Sequence, residues 1–237
     1  AIFIEKPPCQ NMDELMQLIN ISRSTKVSSV VGLQKRQAPV IRILKKELGK
    51  CKRVMTYNLK YLTGAYPEGD ALMDLFIHPL DYVTYLFGKA DVKCVEKVEN
   101  HTLMLLLKHN NATGVLELST GYSWTEAKEL LTINTSNGIY QMEQMDSLKY
   151  QAKQRVVMGI PMEKISPRNM VVIDLFGRNN FVPMIQNNQI YTQGYFDTIK
   201  HFVNMVECVK ASQVQSFANF VETYSLLESI RSLVKQL

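Results

Sequence analysis

The chain has 237 residues, 46% of them hydrophobic and 21% charged, with a formal net charge of +5 at pH 7. That balance describes a folded globular protein and excludes a disordered or collagen-like one. The basic residues are dispersed and form no aromatic-interleaved stripe, which argues against nucleic acid as a partner, and no apolar run approaches the roughly 18 residues that a membrane span needs.

Ile2-Phe3-Ile4 is a short apolar strand, closed by Glu5-Lys6 and by Pro7-Pro8, which cannot extend a ladder. A Lys at the carboxyl end of such a strand stands where α/β sheets place ligand-contacting groups. Asn11 with Glu14 marks a capped helix over 12–24, with Leu15, Leu18, Ile19 and Ser22 on one face. Val27 to Lys35 reads as a buried strand. Residues 1–34 are then strand–helix–strand, the last βαβ unit of a parallel sheet, and without further strands this unit is expected to expose an apolar edge. Pro39 opens a helix that Gly49 ends, and Arg53 to Thr63 alternates as a strand.

After a loop from Gly64 to Gly69, Asp70 caps a helix that runs to Phe87-Gly88. Asp74 and His78 are four apart, one turn above each other, and Asp81 continues their row. The intervening positions are nearly all apolar, so these polar groups must be paired or solvated. A carboxylate that orients an imidazole makes a general base near neutral pH. Pro79 removes an amide and predicts a bend just after His78.

Ala90 to Asp146 is strand throughout, with Asn137-Gly138 as a hairpin turn. Consecutive antiparallel strands after helices describe an α+β layer. Residues 147–190 read as irregular, with Pro161, Pro167, Pro183 and an Asn/Gln cluster at 186–189. Tyr195 to Val209 and Ser216 to Lys235 are amphipathic helices. Their stripes, Phe196, Ile199, Phe202, Val203 and Val206 in one and Phe220, Tyr224, Leu227, Ile230 and Val234 in the other, are expected in the core. Met142, Met145, Tyr150, Met158 and Met162 are candidates for an adaptable interface. Cys9, Cys51, Cys94 and Cys208 are too scattered for a zinc site and need no disulfides, so a reduced, cytoplasmic setting is expected.

Glu5-Lys6-Pro7, then Val31-Gly32-Leu33-Gln34-Lys35-Arg36, then Asp74-x-x-x-His78, with Gln193-Gly194-Tyr195 before the last helices, resemble the Gfo/Idh/MocA family of NAD(P)-dependent sugar and polyol dehydrogenases. The resemblance implies an open, mostly antiparallel sheet with helices on one face over 35–237, the substrate-binding and oligomerisation domain, preceded by a remnant of a Rossmann sheet over 1–34. The family's glycine-rich phosphate loop has no counterpart: no G-x-G-x-x-G occurs. The chain therefore looks like the substrate portion of a dehydrogenase, weak in dinucleotide binding by itself. The resemblance implies Lys6, Asp74 and His78 as catalytic residues. Glu5, Lys6 and Pro7 lie beside NAD or NADP, and Tyr57, Asn58 and Lys60 line the sugar pocket together with Asp74 and His78. Arg36 and Tyr122 are further candidates. It also implies a homodimer or homotetramer. The alternative is a non-catalytic, sugar-responsive regulator or assembly module of the same fold. No metal is expected.

Overall fold

The computed structural model describes residues 1–154, 156–165, 172–178, 188–207 and 215–235. Strand β1 (Ile2–Ile4), helix α1 (Met12–Thr25) and strand β2 (Ser29–Val31) form the expected unit, with β1 and β2 parallel and Ile2 opposite Ser29. Asn11 caps α1 as its spacing predicts, its side chain accepting from the Glu14 amide at 2.9 Å. β2 stops at Val31, short of the expected Lys35: Gln34–Gln37 instead turns as a short 3-10 helix that carries Lys35 and Arg36 inward. Ile2, on the open edge of β1, is 49% exposed.

Helix α2 (Pro39–Leu48) leads to β3 (Val54–Leu62), then to two short helices, α3 (Ala71–Asp74) and α4 (Ile77–Phe87). Strands β4 (Ala90–Val98), β5 (Thr102–His109), β6 (Thr113–Ser119), β7 (Lys128–Thr135), β8 (Gly138–Glu143) and β9 (Ser147–Ala152) follow. β10 (Val156–Val157) and β11 (Ile160–Pro161) form a separate small hairpin, and β12 (Val172–Gly177) rejoins the large sheet. α5 (Gln189–Thr192), α6 (Tyr195–Val206) and α7 (Val221–Val234) complete the described chain. The eight-stranded sheet runs β12-β9-β8-β7-β3-β6-β5-β4. Its neighbours are antiparallel except β3 and β6. That pair is parallel because α3, α4 and two further strands intervene, a crossover that a tight hairpin cannot make.

Period-two alternation sorts the sheet into an inner and an outer face. Tyr57, Leu59, Leu105, Leu107, Leu116, Leu118, Leu131, Ile133, Tyr140, Met142 and Leu148 are buried and join α4 and α7 in one hydrophobic cluster that also reaches Leu15 and Val31. Helices thus cover one face, as expected for this α+β class. Tyr57 fits over Gly114, where a Cβ would fall 1.9 Å from its ring. It stacks on Phe87 at 4.4 Å and bonds His109 Nε2 at 2.7 Å.

Several expectations are corrected. Residues 147–152 and 172–177 are sheet strands, not irregular, since Leu148 and Tyr150 alternate with Lys149 in register with β8. Pro167 and Pro183 lie outside the described residues, and Asn188 caps α5. The apolar stripe of α6 is not core: Ile199, Val203 and Val206 are 49%, 44% and 55% exposed, and the helix buries only Thr198. The α7 stripe is core, with Phe220, Tyr224, Leu227 and Ile230 buried. Met142 and Met145 are likewise core rather than interface, whereas Met158 is 97% exposed. Cys9, Cys51 and Cys94 are free thiols, and among the described residues no helix is long and apolar enough to cross a membrane.

Candidate functional site

The expected single helix over Asp74 and His78 is two helices. α3 ends at Asp74, the backbone turns at Leu75 (φ −113°, ψ −54°), and α4 restarts at Ile77. Pro79 is the cause: within a continuous helix it would leave the Leu75 carbonyl without its amide partner and clash with it. Restarting at Ile77 puts Pro79 in a first turn, where amides are unbonded in any case. The break thus lies before His78, not after it.

The break takes Asp74 and His78 off a common face. The Asp74 carboxylate turns toward the loop before α3: Tyr66 donates to Oδ2 at 3.2 Å, and a Cβ on Gly69 would stand 2.6 Å from that oxygen. His78 is 8% exposed, and its Nδ1 is buried without a hydrogen-bond partner among the described residues. Asp74 therefore does not orient the imidazole as expected.

Another link joins two of the three predicted residues. Lys6, just past β1, donates from Nζ to the main-chain carbonyl of Asp74. Glu5 lies against Gly32 just past β2, where a Cβ would meet its Oε2 at 2.7 Å and push the carboxylate aside. The carboxyl ends of both parallel strands therefore converge on the α3–α4 break. Burial lowers the Lys6 pKa, with Asp74 and Glu5 opposing. The His78 pKa lies well below the usual 6.5, chiefly through burial and further through the positive charges of Lys35 and Lys6. His78 is thus a neutral imidazole at neutral pH, and its surroundings oppose a lasting positive charge on it.

Lys35 and Glu129 complete the cluster. Lys35 Nζ meets the two Glu129 oxygens at 2.6 and 2.7 Å, and both side chains are buried. Burial opposes the ammonium, but the Glu129 carboxylate outweighs it and holds the pKa above the ordinary lysine value. The ammonium stands 4.9 Å from the Tyr61 ring centroid. The Tyr82 hydroxyl is buried nearby, and burial and the Glu129 carboxylate push its pKa well above 10. Neither Lys35 nor Glu129 was singled out from the sequence as a site residue. One signal was available: Glu129 shares the buried phase of β7 with Leu131 and Ile133, and a carboxylate there must find a cation.

The other predicted residues lie elsewhere. Asn58 and Lys60 are on the outer sheet face, Lys60 paired with Glu117 at 2.8 Å, because they alternate with the buried Tyr57 and Leu59. Tyr57 is on the inner face but enclosed by Phe87, His109 and Gly114. Arg36 is taken up by Asp81 in a buried two-point pair at 2.9 and 2.6 Å, and Thr223 adds a bond to the same carboxylate at 2.9 Å. Asp81 stands three residues beyond His78 in α4, but its carboxylate is taken up by Arg36 and Thr223 and is therefore structural. Tyr122 is 50% exposed. Among the described residues no group of three His, Cys, Asp or Glu side chains could hold a metal ion.

No protein-family model matches the sequence, and no curated protein does. Solved structures do match its fold. A levoglucosan dehydrogenase, in complex with NADH and L-sorbose, superposes with a TM-score of 0.78 at 14% identity, over 100% of this chain and 71% of its own. A dehydrogenase from Clostridium difficile gives 0.76 at 16% identity, over 98% and 71%. A Gfo/Idh/MocA family oxidoreductase from Vibrio cholerae gives 0.68 at 17% identity, over 99% and 70%. The chain has the fold of the C-terminal portion of the Gfo/Idh/MocA oxidoreductases, as the motifs implied.

Proposed function

We propose that this chain is the substrate-binding and oligomerisation part of an NAD(P)-dependent oxidoreductase that oxidises a sugar or polyol hydroxyl, or reduces the corresponding ketone. Residues 1–34 are then the last unit of its nucleotide-binding domain and 35–237 its substrate domain. The observation that carries this reading is the junction of Lys6 with Asp74 beside the neutral, buried His78. The fold shared with a dehydrogenase that holds NADH and a sugar supports it.

The residues present fit one end of a nicotinamide dinucleotide. Glu5, Lys6 and Pro7, at the carboxyl end of β1, would stand beside the nicotinamide; nothing in the sequence matches a glycine-rich phosphate cradle. When bound, the nicotinamide supplies the hydride acceptor or donor. His78 takes the hydroxyl proton on Nε2, since Nδ1 is sealed from solvent. Lys6 donates to the reacting oxygen from a position that the Asp74 carbonyl fixes. The Asp74 carboxylate, held by Tyr66, accepts from a neighbouring substrate hydroxyl.

The test is nicotinamide-absorbance turnover on a panel of sugars and polyols with NAD and NADP, in the longest form of the protein that its gene encodes. Turnover that His78→Ala removes supports the reading. Sugar binding without turnover on either cofactor favours the regulator.

A further inference from the structure

Trp124 is the only tryptophan of the chain and is 54% exposed. A large apolar ring in water forgoes the stabilisation of burial, yet this ring is fixed in place. Its Nε1 donates to the Ala65 carbonyl at 2.9 Å. Its five-membered ring lies on Gly64, where a Cβ would fall 2.2 Å from Cδ1, so only glycine admits this approach.

Both loops that hold the ring run straight into the candidate site. From Ala65 the chain passes to Tyr66, whose hydroxyl donates to Asp74 Oδ2 at 3.2 Å. From Trp124 it passes to Glu129, the buried partner of Lys35. The sheet register explains the convergence, because Leu62, Ser119 and Lys128 stand side by side at one end of β3, β6 and β7. Tyr122, 50% exposed, sits on the same loop and its amide donates to the Thr63 carbonyl at 2.9 Å.

A fixed, exposed aromatic on loops that lead to Asp74 and Glu129 suits a ligand with a flat apolar face, and fixing the ring in advance lowers the entropic cost of binding. Local charge narrows the choice. Segments 63–70 and 120–127 carry Glu68 and Glu126 and no Lys or Arg, Asp70 being paired with Arg231, which disfavours a phosphorylated ligand. A pyranose ring, apolar on its CH faces and uncharged, meets both conditions.

We propose that Trp124 is a stacking platform for a second, uncharged sugar ring of the substrate, so that the site takes a disaccharide or glycoside whose reacting ring lies at Lys6, Asp74 and His78. This rests on the oxidoreductase reading for the reacting ring, but the platform can be tested by binding alone. As the sole tryptophan, Trp124 reports through its own emission. The 237-residue chain is titrated with glucose, cellobiose, maltose and uridine monophosphate, with calorimetry alongside for the variants. The expected result is an emission shift with at least one disaccharide at about tenfold lower concentration than glucose. Trp124→Ala should erase that preference and Trp124→Phe should keep most of it. Disaccharides that bind no better than glucose, or that bind without moving the emission, overturn the proposal. So does a shift with uridine monophosphate and with no disaccharide. A Trp124 response without oxidation of any sugar keeps the platform and overturns the oxidoreductase reading. Oxidation of sugars with a silent Trp124 does the reverse.

Discussion

The Lys6 ammonium donates to the main-chain carbonyl of Asp74, 68 residues further along the chain. This bond, rather than one between Asp74 and His78, joins the parallel unit to the α3–α4 break. Because it falls on a backbone atom, Lys6 keeps its position whatever side chain stands at position 74. The Asp74 carboxylate remains free to serve Tyr66 and a ligand.

In the longest form of the protein that its gene encodes, His78→Ala should lower kcat by ~10²- to 10⁴-fold, the usual loss for a general base, while leaving dinucleotide affinity nearly unchanged. Lys6→Ala should weaken both kcat and cofactor affinity, since Lys6 would lie between nicotinamide and substrate. Steady-state kinetics and a dinucleotide titration of both variants check this. Near wild-type kcat in His78→Ala would make His78 a packing residue.

The His78 pKa lies well below 6.5 and the His109 pKa is also lowered, both chiefly by burial. Activity that depends on neutral His78 should therefore stay level as the pH falls through 6.5. Stability should behave differently. Below 6.5 the unfolded chain binds protons at these histidines that the folded chain refuses, so stability rises with pH in this range and is lost on acidification. Melting curves between pH 7.5 and 5.5 should show Tm falling toward acid. A flat Tm would contradict the burial argument.

Asp81→Ala should be among the most destabilising single substitutions. It leaves the Arg36 guanidinium buried, packed 4.3 Å from the Phe220 ring centroid and without its two-point partner. Breaking such a pair from one side costs about 3–5 kcal/mol. Urea unfolding measures it, and a loss under 1 kcal/mol would show that water or another carboxylate replaces Asp81.

The outer sheet face carries Met104, Leu106, Val115 and Leu130 among Asn58, Lys60 and Glu117. An open, partly apolar sheet face favours a second copy. Light scattering should give a dimer or tetramer at micromolar concentration, and Val115→Lys, near the middle of that face, should shift it toward monomer. A wild-type monomer at high micromolar concentration would count against assembly through this surface.

Local rules determined much of this protein from the sequence alone. Asn11 caps α1, Gly49 closes α2, and the alternation in β3 to β8 assigns inner and outer faces, because capping and pleating involve only near neighbours. Lys6, Asp74 and His78 were legible as a group through the order of their motifs. Whether Asp74 touches His78 was not. Pro79 could be accommodated by a bend or by a restart, and packing of α4 against the sheet and α7 selected the restart. Lys35–Glu129 and Arg36–Asp81 join residues 94 and 45 positions apart. Such pairs are fixed by where strands and turns stack, not by local spacing. The same holds for α6, whose periodicity resembles that of a core helix. Only the packed structure decides that it buries Thr198 and turns Ile199, Val203 and Val206 toward solvent, since periodicity marks an apolar face but not what covers it.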